Sequence, residues 1–101
     1  MRYIIIWQFI VQQGKERAFE EAYGSNGLWV RLFQMSNEYI RTTFVKDTAD
    51  AARYMTIDEW NSPESFRKFK QEFITEYEAL DRQCESLTED EIFIGEFSSD
   101  Q

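Results

Sequence analysis

The apolar positions of this chain fall into blocks of two different periods, and the blocks alternate. The first block, YIIIWQFIV from Tyr3 to Val11, puts Tyr3, Ile5, Trp7, Phe9 and Val11 on one face. Ile4, Ile6 and Ile10 lie on the other, with Gln8 among them. β-Branched and aromatic residues in this pattern predict a strand. A strand apolar on both faces is covered on both sides: helices supply one cover, and a partner subunit is the candidate for the other.

The period then changes. Ala18, Phe19, Ala22 and Tyr23 recur at helical spacing within Lys15–Tyr23. The pattern stops at Gly24-Ser25-Asn26-Gly27 and restarts with Leu28, Trp29, Leu32, Phe33 and Met35, so the helix is broken in two. Gly24 is expected to close the first half at positive φ, and Ser25 or Asn26 to cap the second. YIRTTFVK (39–46) and RYMTIDEW (53–60) read as two more strands joined by the polar turn 47–51, an antiparallel hairpin.

Asn61-Ser62-Pro63-Glu64 is the clearest helix start, with a cap, a proline at the first position and an acid in the positive first turn. Phe66, Phe69, Phe73, Tyr77, Leu80 and Cys84 then form one stripe, which predicts a continuous helix of about 20 residues, roughly 30 Å long. EIFIGEF (91–97) is the last strand, and the tail SSDQ is expected to fray. The order β-α-β-β-α-β predicts an α+β, ferredoxin-like fold: an antiparallel four-stranded sheet with helices on one face. At 101 residues the chain is read as one domain, 1–101.

Composition narrows the function. A net charge of −8 argues against nucleic acid, whose binding needs a basic surface, and against an anionic membrane. The first apolar run is too short to span a bilayer and lacks a small-residue cleavage site. Cys84 is the single cysteine, so no internal disulfide forms. These features point to the cytoplasm. There is no histidine, which removes Ser-His-Asp and Cys-His catalysis and any His-ligated zinc or haem. No carboxylate spacing suggests a metal site and no phosphate-binding loop is present, so no cofactor is expected. Aromatic residues make up 17% of the chain, which predicts a ring-lined core or pocket.

With YIIIWQF and Gly14, YGSNGLWVRLF, and RYMTIDEWNSPESF on the page, the chain resembles the antibiotic biosynthesis monooxygenase family of the dimeric α/β-barrel proteins. The resemblance runs from Tyr3 to Phe97. It implies a homodimer whose sheets pack face to face, with a pocket in each subunit between sheet and helices. Its haem-degrading branch pairs an asparagine on the first strand and a tryptophan after the third with an axial histidine. Trp60 fits the tryptophan, but Trp7 stands at the asparagine position and no histidine exists, so haem degradation is rejected.

The cofactor-independent monooxygenases fit better. Such enzymes deprotonate an electron-rich phenol or enol, and the protein supplies shape and a dry pocket; for this chain the resemblance implies a small planar phenol- or quinol-like substrate. The alternative is a non-catalytic ligand-binding or structural homodimer of the same fold.

The pocket candidates are Trp7, Trp29, Trp60, Tyr77 and Asn26. Each also has a plainer role: core packing for the tryptophans, a buried ring for Tyr77, and a cap for Asn26. Arg31 and Asp81 are further polar candidates near the mouth. No residue stands out as a catalytic base.

Overall fold

The computed structural model describes residues 1–100. The elements follow in the order β1 (Arg2–Val11), α1 (Glu16–Tyr23), α2 (Leu28–Phe33), β2 (Tyr39–Lys46), β3 (Arg53–Trp60), α3 (Pro63–Glu72), α4 (Ile74–Cys84), a 3₁₀ turn (Glu85–Leu87) and β4 (Thr88–Ser99). One antiparallel sheet has the strand order β2-β3-β1-β4. This is the expected ferredoxin-like α+β arrangement. No described helix is long and apolar enough to cross a membrane.

β1 is central. Its face bearing Tyr3, Ile5, Phe9 and Val11 is buried under the helices. The opposite face carries half-buried Ile4, Ile6 and Ile10, with Met55 and Ile57 on β3 and exposed Val45, Ile92, Ile94 and Phe97 on the flanking strands. Both faces are therefore apolar, but helices cover only one.

β4 contains a bulge. Ile6 pairs with Gly95, whereas Trp7 pairs with Phe93, so Ile94 is an extra residue. Gly95 adopts φ +156°, a region open to glycine. Strict alternation separates Phe93 from Glu96; the bulge returns both to the helix side, opposite Trp7 and Ile5.

Three local expectations are corrected. Gly24 has φ −70°, not a positive value. Its glycine is needed for space, because a Cβ there meets the Glu20 carbonyl oxygen at 2.5 Å. The second half-helix is capped by Gly27 without a side-chain hydrogen bond, so neither Ser25 nor Asn26 caps it. A Cβ on Gly27 meets the Ala22 carbonyl oxygen at 2.6 Å. The chain thus folds back tightly on α1, and both glycines answer to that contact.

The long helix is two helices, interrupted at Phe73 (φ −112°, ψ 29°). The Phe73 N–H still bonds the Phe69 carbonyl at 2.9 Å, and the Tyr77 N–H bonds that of Phe73 at 2.8 Å. The apolar stripe consequently survives the interruption, which is why it reads as one helix. No proline or glycine marks the spot. The start of α3 is as read: Ser62 and Ser65 form a reciprocal capping box, with Pro63 in the first turn.

Candidate active site

The helix-facing residues of β3 are Tyr54, Thr56, Asp58 and Trp60, all buried. The two ends are large rings sealed by their neighbours. Tyr54 packs on Phe19 at 5.0 Å and Phe44 at 5.4 Å, and its hydroxyl donates to Glu20 at 2.6 Å. Trp60 is 0% exposed, among Phe69, Phe66, Tyr39 and Phe33 at 5.0–5.4 Å. The middle pair, Thr56 and Asp58, is too small to fill the same depth. A cleft of about 300 Å³ opens above them, at the lower end of ligand-pocket sizes.

The walls of this cleft are Trp7, Phe9, Tyr23, Trp29, Phe33 and Tyr77. Trp29 is 8% exposed and meets Tyr77 edge-on at 5.0 Å. Burial pushes the Tyr23 hydroxyl and the Cys84 thiol up, and the nearby Trp29 indole N–H offsets part of that rise, yet it completes no hydrogen bond of good geometry. Trp7 is half-buried, over Phe93 at 5.2 Å. Exposed Lys70, Asp81 and Glu91 form the rim, and the Lys70 ammonium stands 4.8 Å from the centre of the Tyr77 ring.

Of the residues singled out in the sequence, Trp7, Trp29, Tyr77 and Asp81 come together here. Trp60 does not border the cleft: its ring is enclosed within the aromatic cluster at the end of β3. Asn26 is exposed in the turn between α1 and α2, and Arg31 is exposed on α2; neither borders the cleft.

Asp58 escaped the sequence reading and is the chemically distinctive group. It is only 9% exposed. Burial pushes its carboxyl up to about 6, and a hydrogen bond from Thr42 offsets part of that rise. The Thr42 hydroxyl donates to Asp58 Oδ1 at 2.6 Å. Because that proton is committed, Thr42 accepts from the Tyr39 hydroxyl, 2.7 Å away. The Tyr39–Thr42–Asp58 chain therefore holds one carboxylate oxygen.

The other titratable groups divide by role. Burial, then Asp81, pushes the Tyr77 phenol up to about 12, so near neutral pH it is a hydrogen-bond donor. Glu91 is raised by burial and by Asp81, with Tyr23 opposing. One signal for Asp58 was available in RYMTIDEW: alternation places it with Tyr54 and Trp60, a lone acid on a buried face. Among the described residues, no three acidic or thiol side chains converge to hold a metal ion.

No family model matches the chain, and no curated protein matches it in sequence. Solved structures do match in shape. A protein named as an antibiotic biosynthesis monooxygenase from Bordetella bronchiseptica superposes with a TM-score of 0.78 at 14% identity, over 97% of this chain and 96% of that one. The two chains share one fold.

A second structure of that name, from Nitrosomonas europaea, has a TM-score of 0.74 at 13% identity and covers 97% and 89%. A variant of SnoaB, a cofactor-independent oxygenase from Streptomyces nogalater, has a TM-score of 0.75 at 20% identity and covers 99% and 94%. At such identities the likeness is one of fold, and the same fold hosts different chemistries. The chemistry therefore has to be read from the residues in the cleft.

Proposed function

We propose that this chain is a cofactor-independent monooxygenase acting on a small planar phenol or quinol. The observation that carries the reading is Asp58: a buried carboxylate raised to about 6 at the floor of an aromatic cleft. A general base poised near the working pH is what removal of a phenolic proton requires. Trp7, Trp29 and Phe33 accept a planar ring, and the ammonium of Lys70 stabilises the anion formed. The shared fold with SnoaB, itself cofactor-independent, supports the same reading.

The reaction balances without an external reductant. Asp58 takes the hydroxyl proton of a quinol, and the quinolate passes an electron to dioxygen. The resulting pair combines at a ring carbon, and protonated Asp58 returns its proton to the peroxide. Loss of the ring hydrogen with cleavage of the O–O bond releases water and leaves a hydroxyquinone. One oxygen atom enters the product, the other leaves as water, and the substrate supplies every electron.

The protein works, on this reading, as a single-domain homodimer in the cytoplasm. The uncovered sheet face, with Ile4, Ile6, Ile57 and Phe97, suits a second copy. A monomeric mass in sedimentation at micromolar concentration contradicts the dimer.

Oxygen uptake with hydroquinones and anthrone-like compounds tests the activity. Uptake coupled to one product and abolished in Asp58→Asn supports it. Ligand binding without any oxygen consumption across that panel replaces it with the non-catalytic binder.

A further inference from the structure

A second cavity, of about 220 Å³, lies beside the first. Trp7, Phe33, Asp58, Lys70 and Tyr77 border both, so the two are lobes of one space. Polar groups are distributed unequally between the lobes. Asp58, Lys70 and Tyr77 stand at the boundary. Beyond it the second lobe is walled by Ile5, Phe66 and Phe93. Its other carboxylate, Glu96, accepts a hydrogen bond from the Tyr3 hydroxyl and is thereby engaged.

Two backbone features build this lobe. The bulge at Ile94 and Gly95 puts both Phe93 and Glu96 on the helix side. The interruption at Phe73 falls between Lys70 and Tyr77, which line the space together with Trp7 and Asp58.

We propose that the second lobe is a subsite for an apolar substituent, so that the ligand of this cleft is an alkyl-substituted phenol or quinol. Its hydroxyl meets Asp58 and its chain lies along Ile5, Phe66 and Phe93. The inference rests on the assignment of Asp58 as partner of the phenolic hydroxyl. Lys70 and Glu96 stand at the edges of the lobe, but a charged substituent lying along Ile5, Phe66 and Phe93 loses its hydration against apolar walls. A methylene chain gains by the same transfer.

Calorimetric binding of phenol, 4-propylphenol and 4-pentylphenol to the whole protein tests this without turnover. Affinity is expected to rise about fourfold per added carbon until the lobe is full. The ratio of phenol to pentylphenol dissociation constants should be at least tenfold in the wild type and fall toward one in Ile5→Trp, which fills the lobe. Ile5 is buried, so Phe93→Ser, at a half-exposed edge position, provides a second variant expected to lower the ratio.

Equal affinity for the three phenols, or an unchanged ratio in Phe93→Ser, overturns the subsite while leaving the monooxygenase reading standing. A chain-length gain with no oxygen uptake supports the subsite and removes the catalytic reading. Failure of all three phenols to bind overturns both.

Discussion

The two ends of β3 and its middle present the same face to the same helices, yet one is core and the other is cleft. At the ends, Tyr54 and Trp60 reach the helix layer and are ringed by other aromatics. In the middle, Thr56 and Asp58 stop short, and the helices above contribute Trp29 and Tyr77, which wall the gap without closing it. Side-chain length on one strand thus decides where the layer is solid. The difference also separates two kinds of cost: the ends gain stability from burial, whereas the middle leaves a carboxylate in an apolar setting.

The sharpest break of that contrast is Asp58→Asn, which keeps the acceptor for Thr42 and removes the base. Oxygen uptake should fall about 100-fold or more. Wild-type activity should rise with pH through a limb near 6, the value to which burial lifts Asp58, and the variant should lack that limb.

The same carboxyl affects stability in the opposite sense. Its folded value is above the unfolded one, so the folded state holds the proton more tightly between about 4 and 6. Stability from this group is full below that window and is lost as pH rises through it. Asp58→Asn should therefore be more stable than wild type at pH 7, on the order of 2 kcal/mol, and melting curves across pH 4–7 check it.

Trp60→Ala probes the other region. It empties a fully enclosed site and should lower stability by about 3–5 kcal/mol in urea unfolding. Trp7→Ala, at a half-buried position lining the cleft, should cost stability far less and weaken binding of planar ligands. If Trp7→Ala destabilises as much as Trp60→Ala, the distinction between cleft and core fails. The smallest expected effect belongs to Thr42→Val. It removes the hydrogen bond that favours the ionised carboxylate, so the acid limb should move upward by a fraction of a unit to about one unit. Thr42→Ser should restore it, and carbon NMR titration of Asp58 reads the shift independently of turnover.

Much of this architecture was legible in the residues. The period-two and helical stripes locate the four strands and the helical stretches, with α3 and α4 read as one, and NSPE marks the start of α3 to the residue. Trp7, Trp29 and Tyr77 were legible as ring-bearing positions near the sheet. Trp60 was not separable from them, because an aromatic on a buried face reads the same whether it seals a core or walls a gap. Asp58 belongs to no motif; its signal is positional, a lone acid on the buried face of β3. The interruption at Phe73 left no trace, since the stripe and the flanking hydrogen bonds run through it.

The sequence by itself determined the elements, their order, the two apolar faces of the first strand and the absence of imidazole chemistry, because these follow from local periodicity and from composition. Only the tertiary structure decided that Thr42, Asp58, Lys70 and Tyr77, drawn from two strands and two helices, surround one space. It also decided that a bulge in β4 turns Phe93 and Glu96 to the same side. Those outcomes depend on strand register and on the depth to which each side chain fills the gap between layers, and such distances are set by packing among residues far apart in the chain.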